Sequence, residues 1–335
     1  MAPRTAPLPT ITQDVQSGRP ATEVSLSRVG VTGVEKVIRV QSEAGEHLYL
    51  AELECFVDLN PQQAGVHMSR FEEVVGEAID SVVLGESSFR AETLAAHIAE
   101  QVRESQQGFR AEVSVTAHYP ETVTTPESGQ RTQELYTLLG TAVCSERGTR
   151  TLTGVQAQGM TACPCAQGMV AEVARDRLAA QGFDEEQIDL ALAAVPVATH
   201  NQRGIGTLWV GCPEGNAIDV DARDLLRIVE SSMSSEIYEL MKRPDELAVV
   251  AKAHANPRFV EDCVREMIRQ VAASFGEMDE NAFVMARQEN LETIHRHNVV
   301  AERHGLLGDL LGELETGEHQ LHHVSMREWL EAPRP

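Results

Sequence analysis

The chain is poor in several residue types. Aromatic residues make up 4% of its 335 positions. Lysine occurs only at Lys36, Lys242 and Lys252, so arginine supplies most of the positive charge. That charge is far outweighed: the net charge is −23, which repels nucleic acid at long range and argues against DNA or RNA binding as the main role. No apolar run approaches the roughly 20 residues that a bilayer span requires, so no membrane segment is expected. The opening stretch "MAPRTAPLPTITQDVQSGRP" has no apolar core of the kind an export signal carries, which points to a cytoplasmic protein. Cys55, Cys144, Cys163, Cys165, Cys212 and Cys263 are scattered, and only Cys163 and Cys165 lie close together. That pattern is no disulfide framework, and in a reducing compartment the thiols are free.

What is present suffices for real cores: 42% of the residues are hydrophobic. The acidity has two readings, a specific cationic partner or solvation in a salty cytoplasm. The second is preferred, because at about 1 M salt the Debye length falls to about 3 Å and self-repulsion costs little.

Residues 1–22 read as a disordered arm. "VSLSRVGVTGVEKVIRV" and "HLYLAELECFVDL" have strand character, with Gly30 and Gly33 suggesting turns or bulges. Helical spacing follows at 69–84, with Ser69 placed to cap it, and again at 90–105. In the strand over 109–120, Ala111, Val113, Val115 and Ala117 share one face. Further strands are expected near 131–144 and 151–162. The order is ββααββ, and it repeats after 151: strands near 151–162 and 203–210, helices at 222–243 and 258–275, then strand patterns at 281–290 and beyond 292. The expected modules are 23–150 and 151–304. A helical insertion interrupts the second at 167–194, with Asp184 capping its second helix, and a peripheral acidic tail follows at 305–335. The expected class is α+β, antiparallel sheets with helices on one face. Open sheet edges of this kind are commonly closed by another subunit.

Several segments could carry chemistry. On a strand, Cys163 and Cys165 of "GMTACPCAQ" would face the same way and could offer two sulfurs to Zn(II) or Fe(II), or simply pack as small hydrophobes. "THNQRG" holds His200 and Arg203 in what is either a pocket-lining loop or a surface turn. "MKRPDE" would end a helix at Pro244, with Lys242 and Arg243 complementing its dipole, so Glu246 needs other support for a pocket role. Glu261 opens a helix, where an acidic residue also suits the dipole. "ETIHRHN" would put His295 and His297 on one side of a strand, as ligands, acid and base, or exposed residues. "HMSR" sets Arg70 at a helix start, either an anion seat or an ordinary cap.

Taken in order, "SRVGVTGVEK", "GVHMSRFEEV", "GMTACPCAQ", "VPVATHNQRGIG", "SSEIYELMKRPDE", "NPRFVEDCVREM" and "NLETIHRHN" resemble the type IB GTP cyclohydrolase family. The similarity spans roughly residues 24–300. The long link between "CPCAQ" and "THNQRG" resembles the family's archaeal, methanopterin-pathway branch; in bacterial members it is much shorter.

The resemblance implies a tunnelling fold of two ββααββ modules per chain. It also implies a homo-oligomer, a tetramer in the family, with active sites between subunits. The implied substrate is GTP, opened at C8 of the guanine with loss of formate and reclosed as a dihydropterin. In the archaeal branch the product is 7,8-dihydroneopterin 2′,3′-cyclic phosphate with pyrophosphate leaving; in the bacterial branch it is the triphosphate. By resemblance, Cys163, His200 and Glu246 bind the metal, Fe(II) first and Mn(II) or Zn(II) as alternatives. Glu261 anchors the guanine edge, a task suited to a carboxylate that accepts two N–H bonds. Cys165, His295 and His297 fall near the metal as proton-transfer candidates. Arg70, Arg203, Lys242 and Arg243 are triphosphate candidates on their chemistry. The competing expectations are a non-catalytic metal-binding scaffold of the same fold and a different tunnelling-fold enzyme acting on a pterin or purine.

Overall fold

A computed structural model describes residues 14–42, 45–83, 89–213 and 220–332. Strands β1 (Leu26–Ser42) and β2 (Gly45–Leu59) are followed by helices α1 (Met68–Val83) and α2 (Ala91–Gln106). Next come β3 (Arg110–Thr124), β4 (Arg131–Ser145) and β5 (Gly148–Ala162). Helices α3 (Pro164–Ala180) and α4 (Glu185–Ala194) precede β6 (Asn201–Cys212). The chain continues through α5 (Ala222–Ser231), the short β7 (Ser235–Glu236), α6 (Arg243–Ala255) and α7 (Val260–Phe275). It ends with β8 (Phe283–Leu291), β9 (Val299–Leu306), α8 (Leu307–Thr316) and α9 (Met326–Glu331).

The strands form one antiparallel sheet in the order β1-β2-β3-β4-β5-β6-β8-β9, and β7 pairs with β5 beside this path. The α+β expectation holds. In β3 the expected alternation is realised: Ala111, Val113, Val115 and Ala117 are buried together against the helices. The β1–β2 ladder shifts register between Val31 and Val34. Gly33 sits in that bulge at φ 66°, a conformation that a β-carbon disfavours. Asp184 caps α4 by accepting the Gln187 backbone N–H at 2.8 Å. Of the N-terminal arm, residues 1–13 lie outside the described residues, while Gln16 and Gly18 accept backbone hydrogen bonds from Gly65 and Ala64. Among the described residues no helix is long and apolar enough to cross a membrane.

Four expectations about local structure are corrected. The helix expected over 222–243 stops at Ser231. The run "SSMSS" ends it, because serine side chains compete for backbone partners. Ser232 Oγ donates to the Ile228 carbonyl at 2.6 Å, Ser234 Oγ accepts the Ala162 N–H at 3.1 Å, and Ser235 pairs with Met160. Pro244 consequently starts α6 instead of ending a helix, in the first turn where its missing N–H is not needed. Ser69 lies inside α1, which begins at Met68, so it is not the cap.

The fourth correction is the segment beyond 304. It is no peripheral tail. Leu307 and Leu310 join the main core, and Trp329 is 3% exposed. On the sheet face away from the main helices, Trp329 packs with Leu152 and Phe283, flanked by Trp209 and Met285. Its indole N–H donates to the Asn281 carbonyl at 2.9 Å, and the Arg150 guanidinium lies 5.0 Å from its ring.

Two predictions follow from this packing. Trp329→Ala should lower stability by about 3–5 kcal/mol, the usual cost of emptying a large aromatic site, as measured by chemical denaturation. The second concerns Glu230, which accepts the Tyr136 hydroxyl at 2.7 Å. Burial pushes its carboxyl above the ordinary value, and the Tyr136 bond only partly offsets this. A folded-state pKa above the unfolded one gives stability that is full below the unfolded value near 4.5 and is lost as pH rises through the folded value. Glu230→Gln keeps the acceptor without the charge. It should raise Tm at neutral pH, and the gain should vanish as pH falls toward about 4.

Candidate functional site

The ends of β5, β6 and β8 meet at one edge of the sheet, where Ala162 faces Asn201 and Arg203 lies between Met160 and Leu291. Just beyond these pairs stand Cys163, His200 and Glu292. The Cys163 N–H donates to the His200 carbonyl at 3.1 Å, and Thr199 Oγ1 donates to the Cys163 carbonyl at 2.8 Å. Cys163 is the N-cap of α3, and its sulfur accepts the Ala166 N–H at 3.4 Å. Cys165 is exposed in the first turn of that helix. The same-face argument for the two sulfurs therefore fails: Pro164 starts a helix at this point, and residues two apart on a helix do not face one way.

His200 Nδ1 lies 3.0 Å from Gln202 Oε1 and 3.8 Å from Glu292 Oε2. Gln202 is itself oriented by Thr161, to whose hydroxyl its amide donates at 3.1 Å. With Nδ1–H given to Gln202, the neutral ring presents the Nε2 lone pair. Glu292 Oε2 is buried and has no hydrogen-bond partner. It continues a buried polar stripe formed by Gln288 and Asn290. Gln202 belongs to the polar run of "THNQRG" that suits a pocket-lining loop, whereas Glu292 was not singled out from the sequence, although it lies within a quoted motif. The signal was the polar alternation Gln288, Asn290, Glu292 along a strand that is otherwise apolar on that face.

Two further elements flank this end. The Arg258 N–H donates to the Ala162 carbonyl at 2.9 Å, which brings the start of α7 and the exposed Glu261 alongside. Gln167 of α3 donates to the His254 carbonyl of α6 at 2.8 Å. Glu246 is exposed in the first turn of α6, with Lys242 and Arg243 exposed at its start. Those cations stand at a helix N-terminus, where they oppose the dipole, so dipole complementarity does not explain them. His295 and His297 lie in bends between β8 and β9, not on a strand. Their rings still stack, with centroids 5.1 Å apart. Arg203 is exposed on β6. Arg70 is set apart from the rest. Its guanidinium donates to the Ser105 carbonyl at 2.8 Å, in the last turn of α2 and near the start of β3.

The chain thus places Cys163 beside His200, with Glu292 in support. It does not gather three His, Cys, Asp or Glu side chains around one point among the described residues. Glu246 is not joined to the pair by any hydrogen bond or ion pair described. A thiolate, an imidazole and a carboxylate suit a divalent transition metal in donor type, and the unpartnered Glu292 oxygen sits beside the imidazole.

Residues 12–301 match the family described as type I GTP cyclohydrolase folE2. Proteins named GTP cyclohydrolase MptA are similar over 90% of the chain. That of Methanococcus maripaludis (strain C7) is 39% identical with 98% of its length covered, and that of Methanococcus aeolicus is 40% identical with 99% covered. The protein from Methanocaldococcus jannaschii is 38% identical, with 97% covered. Among solved structures, a hyper-thermostable uricase mutant superposes with a TM-score of 0.52 at 9% identity, covering 92% of this chain and 98% of that one. This last likeness concerns the fold alone. By the extent of the family match and the identity to these relatives, the chain belongs to the type I GTP cyclohydrolase folE2 family.

Proposed function

We propose that the chain is a metal-dependent GTP cyclohydrolase that hydrolyses the guanine imidazole ring at C8. It releases formate and pyrophosphate and forms 7,8-dihydroneopterin 2′,3′-cyclic phosphate. The observation that carries the reading is the placement of Cys163 beside His200 on the paired ends of β5 and β6, in a chain of this family.

Cys163, His200 and Glu246 would hold the ion, Fe(II) in first place and Mn(II) or Zn(II) otherwise. When bound, such an ion acts as a Lewis acid that makes water a nucleophile near neutral pH. The other roles belong to the protein. Glu261 accepts the guanine N1–H and 2-amino N–H. Gln202, 3.0 Å from His200 Nδ1, would hold the ring in the tautomer that leaves Nε2 for the ion. His295 and His297, stacked and exposed, would move protons to the departing ring nitrogen, with Cys165 as a further candidate. Lys242 and Arg243 at the start of α6, with Arg203, would receive the triphosphate.

The same reading extends to assembly. The two runs of strands and helices are two modules of a tunnelling fold, and the sheet edges β1 and β9 pair with other subunits in a homo-oligomer, a tetramer by family resemblance. Sites completed between subunits would account for Glu246 making no described bond to Cys163 or His200 and for Arg70 bonding instead to Ser105. The acidity is a solvation adaptation to concentrated salt, so Tm should fall as KCl is lowered from molar to about 0.1 M, where the Debye length grows to about 10 Å.

The reaction is tested by anaerobic incubation of metal-stripped protein with GTP in molar KCl, with Fe(II), Mn(II), Zn(II) or no metal. Formate release with a cyclic monophosphate, identified by mass, is expected with Fe(II). A triphosphate product would give the bacterial-type reaction instead. Cys163→Ala should reduce turnover by at least about a thousandfold even with added Fe(II), the size of effect that loss of a key catalytic group produces. Near-normal turnover of that variant would remove Cys163 from the site.

A further inference from the structure

In the run "KRPDE", Asp245 is the residue that the proposed reaction leaves without a task. It is wholly buried. Its Oδ1 accepts the backbone N–H groups of Glu127 at 3.0 Å and Ser128 at 2.8 Å. Its Oδ2 accepts the Ser128 hydroxyl at 2.5 Å and the Lys242 N–H at 2.9 Å. Closing the first turn of α6 requires only the bond from Lys242. The other three donors come from the tip of the β3–β4 hairpin, more than a hundred positions away in the sequence.

The tip is itself fixed. Thr125 is 2% exposed, its hydroxyl lies 3.0 Å from Ser128 Oγ, and it accepts the Gln130 N–H at 3.0 Å. A second tie runs parallel: the Glu239 N–H donates to Glu134 on β4 at 2.9 Å. A buried carboxylate is costly to desolvate, and an apolar contact could close the same gap with less risk. What a saturated carboxylate adds is one defined geometry. Helix ends otherwise fray. Glu246 is the next residue, so its backbone is held by the same lock, while its side chain turns outward, about 100° around the helix.

We propose that Ser128, acting through Asp245, is a positioning residue for Glu246. The β3–β4 hairpin tip is thereby part of the support of the metal site although it supplies no ligand. The inference rests on the reading of Glu246 as a ligand.

The test uses the full chain in molar KCl and Mn(II) as the probe, titrated without GTP and followed by electron paramagnetic resonance. Formate kinetics and Tm are measured alongside. Ser128→Ala should weaken Mn(II) binding by about tenfold, the low end for loss of an outer-shell partner, and lower kcat more than it changes KM. Ser128→Thr, which restores the hydroxyl, should recover both. If Ser128→Ala lowers Tm but leaves Mn(II) affinity and kcat within about twofold of the parent, the hairpin contact is a latch for the fold only and the proposal is overturned. Glu246→Gln separates this from failure of the underlying reading. Unchanged Mn(II) binding in that variant would show that Glu246 is no ligand, and the positioning role would fall with it.

Discussion

The register of β5 against β6 is the constraint on which the site depends. Ala162 faces Asn201, and the next residue outward on each strand is Cys163 or His200. A slip of one residue would turn every side chain of one strand to the opposite face. It would place the thiol and the imidazole on opposite sides of the sheet. The register is held from both sides: Val155, Ala157, Leu208 and Val210 are buried in the main core, while Leu152 is buried under the C-terminal helix. Two apolar faces with different demands leave this pairing little alternative.

How far the fold was legible depended on whether local pattern and tertiary demand agreed. In β3 they agreed, and the four alternating small residues were read correctly. The same holds for α2 and α7, whose apolar stripes face the sheet. Between 231 and 243 they disagreed. The apolar spacing continued through Ile237 and Leu240, but the serines were committed to the end of β5, a partner no local window contains. Pro244 was read as a stop for the same reason. Proline forbids a helix interior and tolerates a helix start equally well, and the residues before it decided which.

The site was legible as a set of residues and less so as a geometry. The motif order pointed to Cys163, His200, Glu246 and Glu261. It could not show that Cys163 caps a helix, or that Glu292 and Gln202 stand behind His200. Glu292 escaped attention because a lone acidic residue beside two histidines looks like ordinary polar loop. Its meaning appears only when the strand face it extends is seen to be buried. Arg70 illustrates the opposite case: its motif was noticed, and the fold then turned its guanidinium from α1 to the end of α2, away from the other candidates.

The C-terminal helix lies beyond the span shared with the family, which ends at residue 301. Its indole nevertheless occupies space that Gly211 leaves open: a β-carbon there would come within 2.8 Å of the Trp329 ring. Leu152 of the neighbouring strand is nearer still, at 2.4 Å, so Gly211 makes room for both the sheet's own side chain and a segment outside the common family span. Trimming the chain to the family's shared length would uncover Leu152, Phe283 and Trp209 as one apolar patch on an otherwise strongly acidic molecule. Such patches promote self-association. The shortened protein would trade a solubility problem solved by charge for an aggregation problem that charge alone does not solve.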